Sequence, residues 1–131
     1  MARRERPLSP FMQYRWLYSN TLSILHRLTG ILLSAGFLLL IYWLVAAARG
    51  AESYERALSC LASIPMQVIL AGVLWSWCYH LLNGVRHLCW DVGIGFELRV
   101  ARLSGWVVAI ASLALAVVLW FVLHGGFGEV A

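Results

Sequence analysis

The residues best suited to chemistry lie between His80 and Asp91. This stretch reads His-Leu-Leu-Asn-Gly-Val-Arg-His-Leu-Cys-Trp-Asp and ends a run that is otherwise apolar. On a helix that turns about 100° per residue, His80, His87 and Asp91 share one face. Gly84 lies on the same face, where its missing side chain leaves room beside His80. Because ionisable residues inside a membrane are costly, they indicate function by default, and a histidine beside such a gap suggests a flat cofactor.

The composition predicts an all-α membrane protein. The chain has 131 residues, of which 62% are hydrophobic and 12% charged, and its mean hydropathy is +0.79. These values are too apolar for a soluble domain of this length. The net charge of +4 comes from arginine alone and forms no basic stripe with interleaved aromatic residues, so no nucleic-acid partner is expected. Three scattered cysteines without a C-x-x-C spacing predict neither a disulfide framework nor a zinc site.

Three apolar segments predict three transmembrane helices within a single membrane-anchor domain, 1–131. They cover about 22–48, 65–90 and 103–123, and each reaches the roughly 20 residues that cross a lipid bilayer. Pro65 suits a first helical turn, and Gly93 suits the end of the second helix. The preceding segment 1–21 is basic and lacks a cleavable signal pattern, so a retained cytoplasmic segment is expected.

The distribution of arginine predicts the orientation of these helices. Five arginines precede or open the first span and three flank the second connection, whereas the first connection holds two arginines beside two glutamates. By the positive-inside rule, the N-terminus and the 91–103 connection are cytoplasmic. The 49–64 loop and the C-terminus then lie on the outer, periplasmic side, as in a multi-pass protein of a bacterial inner membrane.

His80 is the candidate metal ligand. A neutral imidazole is the commonest metal-binding side chain. His80 lies six residues from Arg86, which marks the membrane surface, so at 1.5 Å per residue it lies on the order of 9 Å inside the membrane. That depth suits the iron of a heme whose propionates reach the surface. His87 lies roughly 10 Å away along the same helix axis and cannot bind the opposite face of the same ring. His26 is expected to be too shallow, so a second ligand is expected from another polypeptide.

Simpler roles remain open for these residues. A lone histidine in a membrane helix often forms only a hydrogen bond between helices. Arg86 can extend to the lipid head groups, and Asp91 can pair with His87 at the i,i+4 spacing. Under this interpretation the stretch is a structural helix end.

A second group of polar and small residues shares a face of the first helix. Ser23 and Arg27 lie one turn apart, and Gly30 and Ser34 continue the same face. A hydroxyl and a guanidinium at the cytoplasmic boundary could hold a neutral carbonyl group and supply it with protons. The alternative is that Ser23 bonds back to its own helix while Arg27 only anchors the positive side.

Two stretches carry a family resemblance. Segment 6–30 reads Arg-Pro-Leu-Ser-Pro, continues through Tyr-Arg-Trp, and ends in Ser-Ile-Leu-His-Arg-Leu-Thr-Gly. Segment 80–93 has the pattern His-x-x-x-Gly-x-Arg-His-Leu-x-Trp-Asp-x-Gly. With three spans, the chain resembles the cytochrome b membrane-anchor subunits of succinate dehydrogenase, the larger of its two hydrophobic subunits.

The resemblance implies roles for particular residues. His80 would be an axial ligand of a single heme b, and the opposite ligand would come from a histidine of the second small membrane-anchor subunit. Ser23 and Arg27 would line the ubiquinone site near the iron–sulfur subunit. Four further residues would be neighbours of the heme propionates or of the quinone site: His26, Arg86, His87 and Asp91.

The resemblance also implies a place in a larger complex. A flavoprotein subunit would oxidise succinate, and electrons would pass through the iron–sulfur subunit to ubiquinone. This chain itself has no flavin motif and no cluster of cysteines for that chemistry. Two other classes remain, a heme-free structural anchor and a small transporter. The absence of an acidic residue deep in any predicted span argues against a transporter.

Overall fold

A computed structural model describes residues 17–127, with side chains described as far as residue 125. Regular structure in this range consists of four helices, α1 (Tyr18–Ala48), α2 (Ala51–Leu61), α3 (Ile64–Asp91) and α4 (Leu98–Phe127). Three of the described helices, α1, α3 and α4, are long and apolar enough to cross a membrane. The predicted all-helical class with three spans is therefore confirmed, while the sidedness of the termini stays a prediction. The basic residues of 1–16 lie outside the described range.

The helices extend beyond the apolar segments that predicted them. α1 begins at Tyr18 and α4 begins at Leu98, so the second connection shortens to 92–97. Near a membrane, helical hydrogen bonding satisfies backbone groups even where the side chains become polar, and hydropathy alone therefore underestimates helix length.

The prediction of a loop over 49–64 is wrong, because α2 occupies most of it. This short helix is amphipathic, with Ala57 fully buried and an exposed Glu52–Arg56 pair whose charged atoms lie 3.5 Å apart at the i,i+4 spacing. The tilted rings of Trp43 and Tyr54, with centroids 6.2 Å apart, link α2 to the end of α1. With 11 residues, α2 is too short and too polar to cross a membrane, so hydropathy does not predict it.

The long helices run up, down and up as a bundle. The Tyr79 hydroxyl on α3 donates to the carbonyl of Leu22 on α1 at 3.2 Å. The rings of Tyr18 on α1 and Trp106 on α4 stack with centroids 5.6 Å apart. One end of the bundle therefore combines the start of α1, the end of α3 and the start of α4.

The end of α3 is fixed by a turn that requires glycine. Gly93 adopts a positive φ of 84°. Its N–H donates to the carbonyl of Trp90 at 2.8 Å, and the N–H of Ile94 donates to that of Cys89 at 2.9 Å. These two bonds form a Schellman motif. With Pro65 in the first turn of α3, both predicted helix boundaries are confirmed.

The bundle reverses the usual distribution of polarity. Its large apolar side chains are mostly exposed, whereas several polar side chains are fully enclosed by the three long helices. This arrangement is typical of a membrane protein, whose outer surface meets lipid and whose polar groups bond between helices. The enclosed polar residues are Thr29, Ser76, Asn83 and Ser112.

Candidate functional site

Three histidine rings stack at the interface of α1 and α3. The ring of His26 lies parallel to that of His80, with centroids 3.9 Å apart and an interplanar angle of 12°. The ring of His26 also stacks with that of His87, with centroids 5.3 Å apart and an interplanar angle of 15°. The expectation that His26 is too shallow to reach the level of His80 is therefore wrong. Because α1 begins at Tyr18, His26 lies about two turns, on the order of 12 Å, along its helix.

Stacking does not make His26 the opposite ligand of a metal bound by His80. The two rings lie face to face, so their nitrogens lie side by side and do not converge on one point between the rings. Among the residues that the structure describes, no group of three or more His, Cys, Asp or Glu side chains could hold a metal ion. The described bundle thus offers single imidazoles and no complete metal site.

The ring of His80 is held by α1. Its Nδ1 lies 3.3 Å from the hydroxyl oxygen of Thr29, and that hydroxyl donates to the carbonyl of His26 at 2.9 Å. Gly30 allows the close approach, since a Cβ at this position would lie 3.3 Å from the Cε1 of His80. The imidazole is therefore oriented by a hydrogen bond, a stacked ring and the backbone of α1.

The free side of His80 fits a flat metal-bearing group. Its Nε2 makes no hydrogen bond in the described range and is not among the buried polar atoms there that lack a partner. One turn further along α3, a Cβ added to Gly84 would meet nothing within 4 Å. An oriented histidine with an accessible nitrogen beside open space is the donor arrangement that a heme requires.

Arg86 turns into the bundle, so the interpretation that it extends to lipid head groups is wrong. Its Nε donates to the hydroxyl of Ser104 at 2.9 Å, and its Nη2 donates to the carbonyl of Ala101 at 2.8 Å. The guanidinium also covers the ring of Trp90, 4.0 Å from its centroid. Because α4 begins at Leu98, its first turns provide oxygen atoms that accept hydrogen bonds from the guanidinium of Arg86.

The interpretation that His87 pairs with Asp91 is also wrong. The Nδ1 of His87 lies 2.8 Å from the backbone carbonyl of Asn83, to which it donates. Asp91 is exposed, and the described residues contain a salt bridge only between Arg56 and Glu52. A carbonyl one turn back in the helix satisfies His87 without the aspartate.

Ser23 and Arg27 both lie exposed on α1. Ser23 lines a cavity of about 210 Å³ between α1 and α3, together with Asn83, Arg86 and Trp90 among others. The side chains of Ser23 and Arg27 make no hydrogen bond within residues 17–127, so the alternative that the Ser23 hydroxyl bonds back to its helix is not observed. Within the described residues, no side-chain partner is assigned to either group.

Two buried polar residues of this region were missed from sequence. Thr29 is 1% exposed and Asn83 is fully buried, with its Nδ2 lacking a hydrogen-bond partner in the described range. Each lies three residues after a candidate histidine, Thr29 after His26 and Asn83 after His80. That spacing places them on the same faces as the histidines and could have identified them.

Comparison with known proteins supports one family. Residues 2–119 match the family model described as succinate dehydrogenase/fumarate reductase transmembrane subunit. The chain belongs to this family. The resemblance predicted from the two sequence stretches is thereby confirmed, and the three apolar helices are those of a transmembrane subunit.

Individual members of the family align along most of the chain. The succinate dehydrogenase cytochrome b556 subunit of Rickettsia prowazekii is 38% identical over 117 residues, covering 88% of this chain and 91% of the relative. The corresponding subunit of Paracoccus denitrificans is 40% identical over 116 residues, covering 88% of this chain and 89% of the relative. The mitochondrial cytochrome b560 subunit of Sus scrofa is 38% identical over 115 residues, covering 86% and 68%.

Proposed function

We propose that this chain is the heme b-binding membrane-anchor subunit of a succinate dehydrogenase in a bacterial inner membrane. Family membership and the cytochrome names of its relatives support this function. The observation that carries it is the side chain of His80, whose Nδ1 is held by Thr29 and whose Nε2 is accessible beside Gly84.

In this proposal His80 would hold the heme iron through its Nε2. A bound heme accepts and releases single electrons, and the protein tunes it through its ligands. The second small membrane-anchor subunit would supply the other ligand, as the family resemblance implies. The residues proposed near the propionates lie toward the same end of the bundle: His26, Arg86, His87 and Asp91.

In this proposal Ser23 and Arg27 bind the quinone. Both are exposed, lie one turn apart and make no hydrogen bond within the described range. Arg27 orients and polarises a carbonyl of ubiquinone, and Ser23 donates a hydrogen bond to it. Succinate is oxidised in the flavoprotein subunit, and electrons arrive through the iron–sulfur subunit docked at this cytoplasmic end.

Replacement of His80 tests the proposed heme site. In the purified complex, His80→Leu is expected to abolish or strongly alter the reduced heme spectrum. His124→Leu is the matched control, because His124 is exposed on α4 and its Nδ1 is bonded to the carbonyl of Trp120 in its own helix. An assembled His80→Leu complex with an unaltered spectrum would exclude the ligand assignment.

The same preparation separates the alternative functions. A heme-free structural anchor would copurify with the dehydrogenase subunits but show no heme absorbance in the wild-type complex. A small transporter would purify without those subunits. The proposed function requires both the heme spectrum and the partner subunits.

A further inference from the structure

We propose that Thr29 is a positioning residue that selects the metal-binding tautomer of His80. The inference rests on the proposed function, since it concerns how this chain presents its ligand. It is carried by the chain of contacts from the His80 ring through the Thr29 hydroxyl to the backbone of α1.

The direction of each hydrogen bond in this chain can be worked out. A backbone carbonyl only accepts, so the single hydroxyl hydrogen of Thr29 is donated to the carbonyl of His26. The hydroxyl oxygen can then only accept from the Nδ1 of His80. Nδ1 therefore carries the hydrogen, and the Nε2 of the neutral ring keeps the lone pair that binds a metal.

The surroundings of Thr29 hold this geometry. The residue is 1% exposed, and its bond to a carbonyl three residues earlier fixes the rotamer of a β-branched side chain in a helix. On the other side, His26 stacks on the His80 ring at 3.9 Å and Gly30 leaves just enough space for it. The imidazole consequently cannot turn freely without breaking several contacts.

The hydrogen bond also changes what the ligand does. A partner that accepts from the distal ring nitrogen orients the imidazole and raises its basicity. A more basic ligand stabilises the oxidised iron, so loss of the partner is expected to shift the heme midpoint potential to more positive values. Loss of such partners typically lowers metal affinity on the order of 10–100-fold.

Substitutions of Thr29 in the purified complex test this role. Thr29→Val keeps the shape and removes the hydroxyl, whereas Thr29→Ser keeps the hydroxyl. Ser112→Ala is the matched control, because Ser112 is also fully buried and donates to a carbonyl three residues earlier, on α4. Heme content per complex and the heme midpoint potential are the measurements.

The expected result is a more positive potential and a lower heme content for Thr29→Val, with Thr29→Ser and Ser112→Ala close to wild type. An unchanged potential in Thr29→Val would overturn the inference, as would an equal shift in Thr29→Ser. If Thr29→Val binds no heme at all, retention of heme by Thr29→Ser supports the inference and loss in both overturns it. His80→Leu measured in parallel separates the two proposals, because a wild-type heme spectrum in that variant rejects the ligand itself.

Discussion

At the scale of single residues, α1 presents two chemical faces within two turns. His26 and Thr29 face α3, where they contact the ring of His80. Ser23 and Arg27 are exposed and free of hydrogen bonds within the described range. At about 100° per residue the two pairs lie on adjacent parts of the helix surface, and Ser23, between them, also lines the cavity toward α3. The proposed heme contacts and the proposed quinone contacts are therefore neighbours on one short segment of α1.

The exposed pair leads to a prediction about quinone reduction. In an assembled complex, Arg27→Ala is expected to lower the rate of quinone reduction on the order of 10²-fold, as for loss of a charged group that stabilises developing charge. Ser23→Ala removes a single hydrogen bond and is expected to cost about tenfold or less. Steady-state kinetics with ubiquinone, beside succinate oxidation with a water-soluble electron acceptor, measure both effects.

A matched serine on the same helix provides the control for that experiment. Ser34 is also on α1, but its hydroxyl already donates to the carbonyl of Gly30 at 3.1 Å. Ser34→Ala should leave quinone reduction close to wild type. Wild-type rates in both Ser23→Ala and Arg27→Ala would contradict the placement of the quinone site.

At the scale of helices, two glycines of α1 determine how closely it approaches α3. Gly30 faces the ring of His80, and a Cβ at Gly36 would lie 2.6 Å from the Cγ1 of Val73. Close approach at small residues is a common basis for helix packing in membranes. Here it brings Thr29 and His26 within contact distance of His80, so the packing of two helices forms the surroundings of the proposed ligand.

Substitution of Gly36 tests this packing. Gly36→Ala places a methyl group against Val73, whose β-branched side chain has few rotamers, and overpacking of this kind costs about 1–3 kcal/mol. The complex should therefore lose heme at a lower temperature in a thermal melt. Val73→Ala in the same chain should restore part of the loss, because it removes the opposing methyl groups.

The control for this cycle is a glycine with open surroundings. A Cβ added at Gly72, next to Val73 on α3, meets nothing within 4 Å. Gly72→Ala is expected to be neutral or slightly stabilising, since alanine favours a helix over glycine. If Gly36→Ala melted like Gly72→Ala, close α1–α3 contact at Gly36 would not be needed for stability.

At the scale of the whole molecule, the bundle is asymmetric between its two ends. The end with the histidine stack also carries the exposed arginines of the second connection, Arg99 and Arg102. The opposite end carries α2, which holds an exposed glutamate–arginine pair that largely cancels in charge. The positive-inside rule therefore predicts that the histidine end faces the cytoplasm, where the soluble subunits of the proposed complex would dock.

The native cysteines allow this orientation to be measured. Cys60 is exposed near the end of α2, Cys89 is exposed in the last turns of α3, and Cys78 is buried. In single-cysteine variants, a membrane-impermeant maleimide should label Cys60 from the outside of intact cells and Cys89 only in inside-out vesicles. Cys78 should stay unlabelled in both and serves as the control. Labelling of Cys60 from the cytoplasmic side would contradict the predicted topology.

The class of the protein, its spans and the chemistry of its candidate residues could be predicted from the order of residue types. Apolar runs of sufficient length specify membrane helices because the bilayer demands them locally. Pro65 and Gly93 mark the ends of α3 because their backbone preferences are also local. His80 could be predicted as a functional residue for the same reason, because an ionisable side chain in an apolar span indicates function whatever its partners are.

Which of these side chains meet depends on how the helices pack against one another. Periodicity assigns residues to faces of one helix but says nothing about the axial register of two helices. That register depends on close contacts between distant residues, such as Gly36 with Val73, and it brought His26 level with His80. Arg86 likewise points into the bundle because the first turns of α4 place the acceptors of Ala101 and Ser104 within hydrogen-bond distance. Long-range packing therefore selected the partners of residues whose chemistry was already evident from their types.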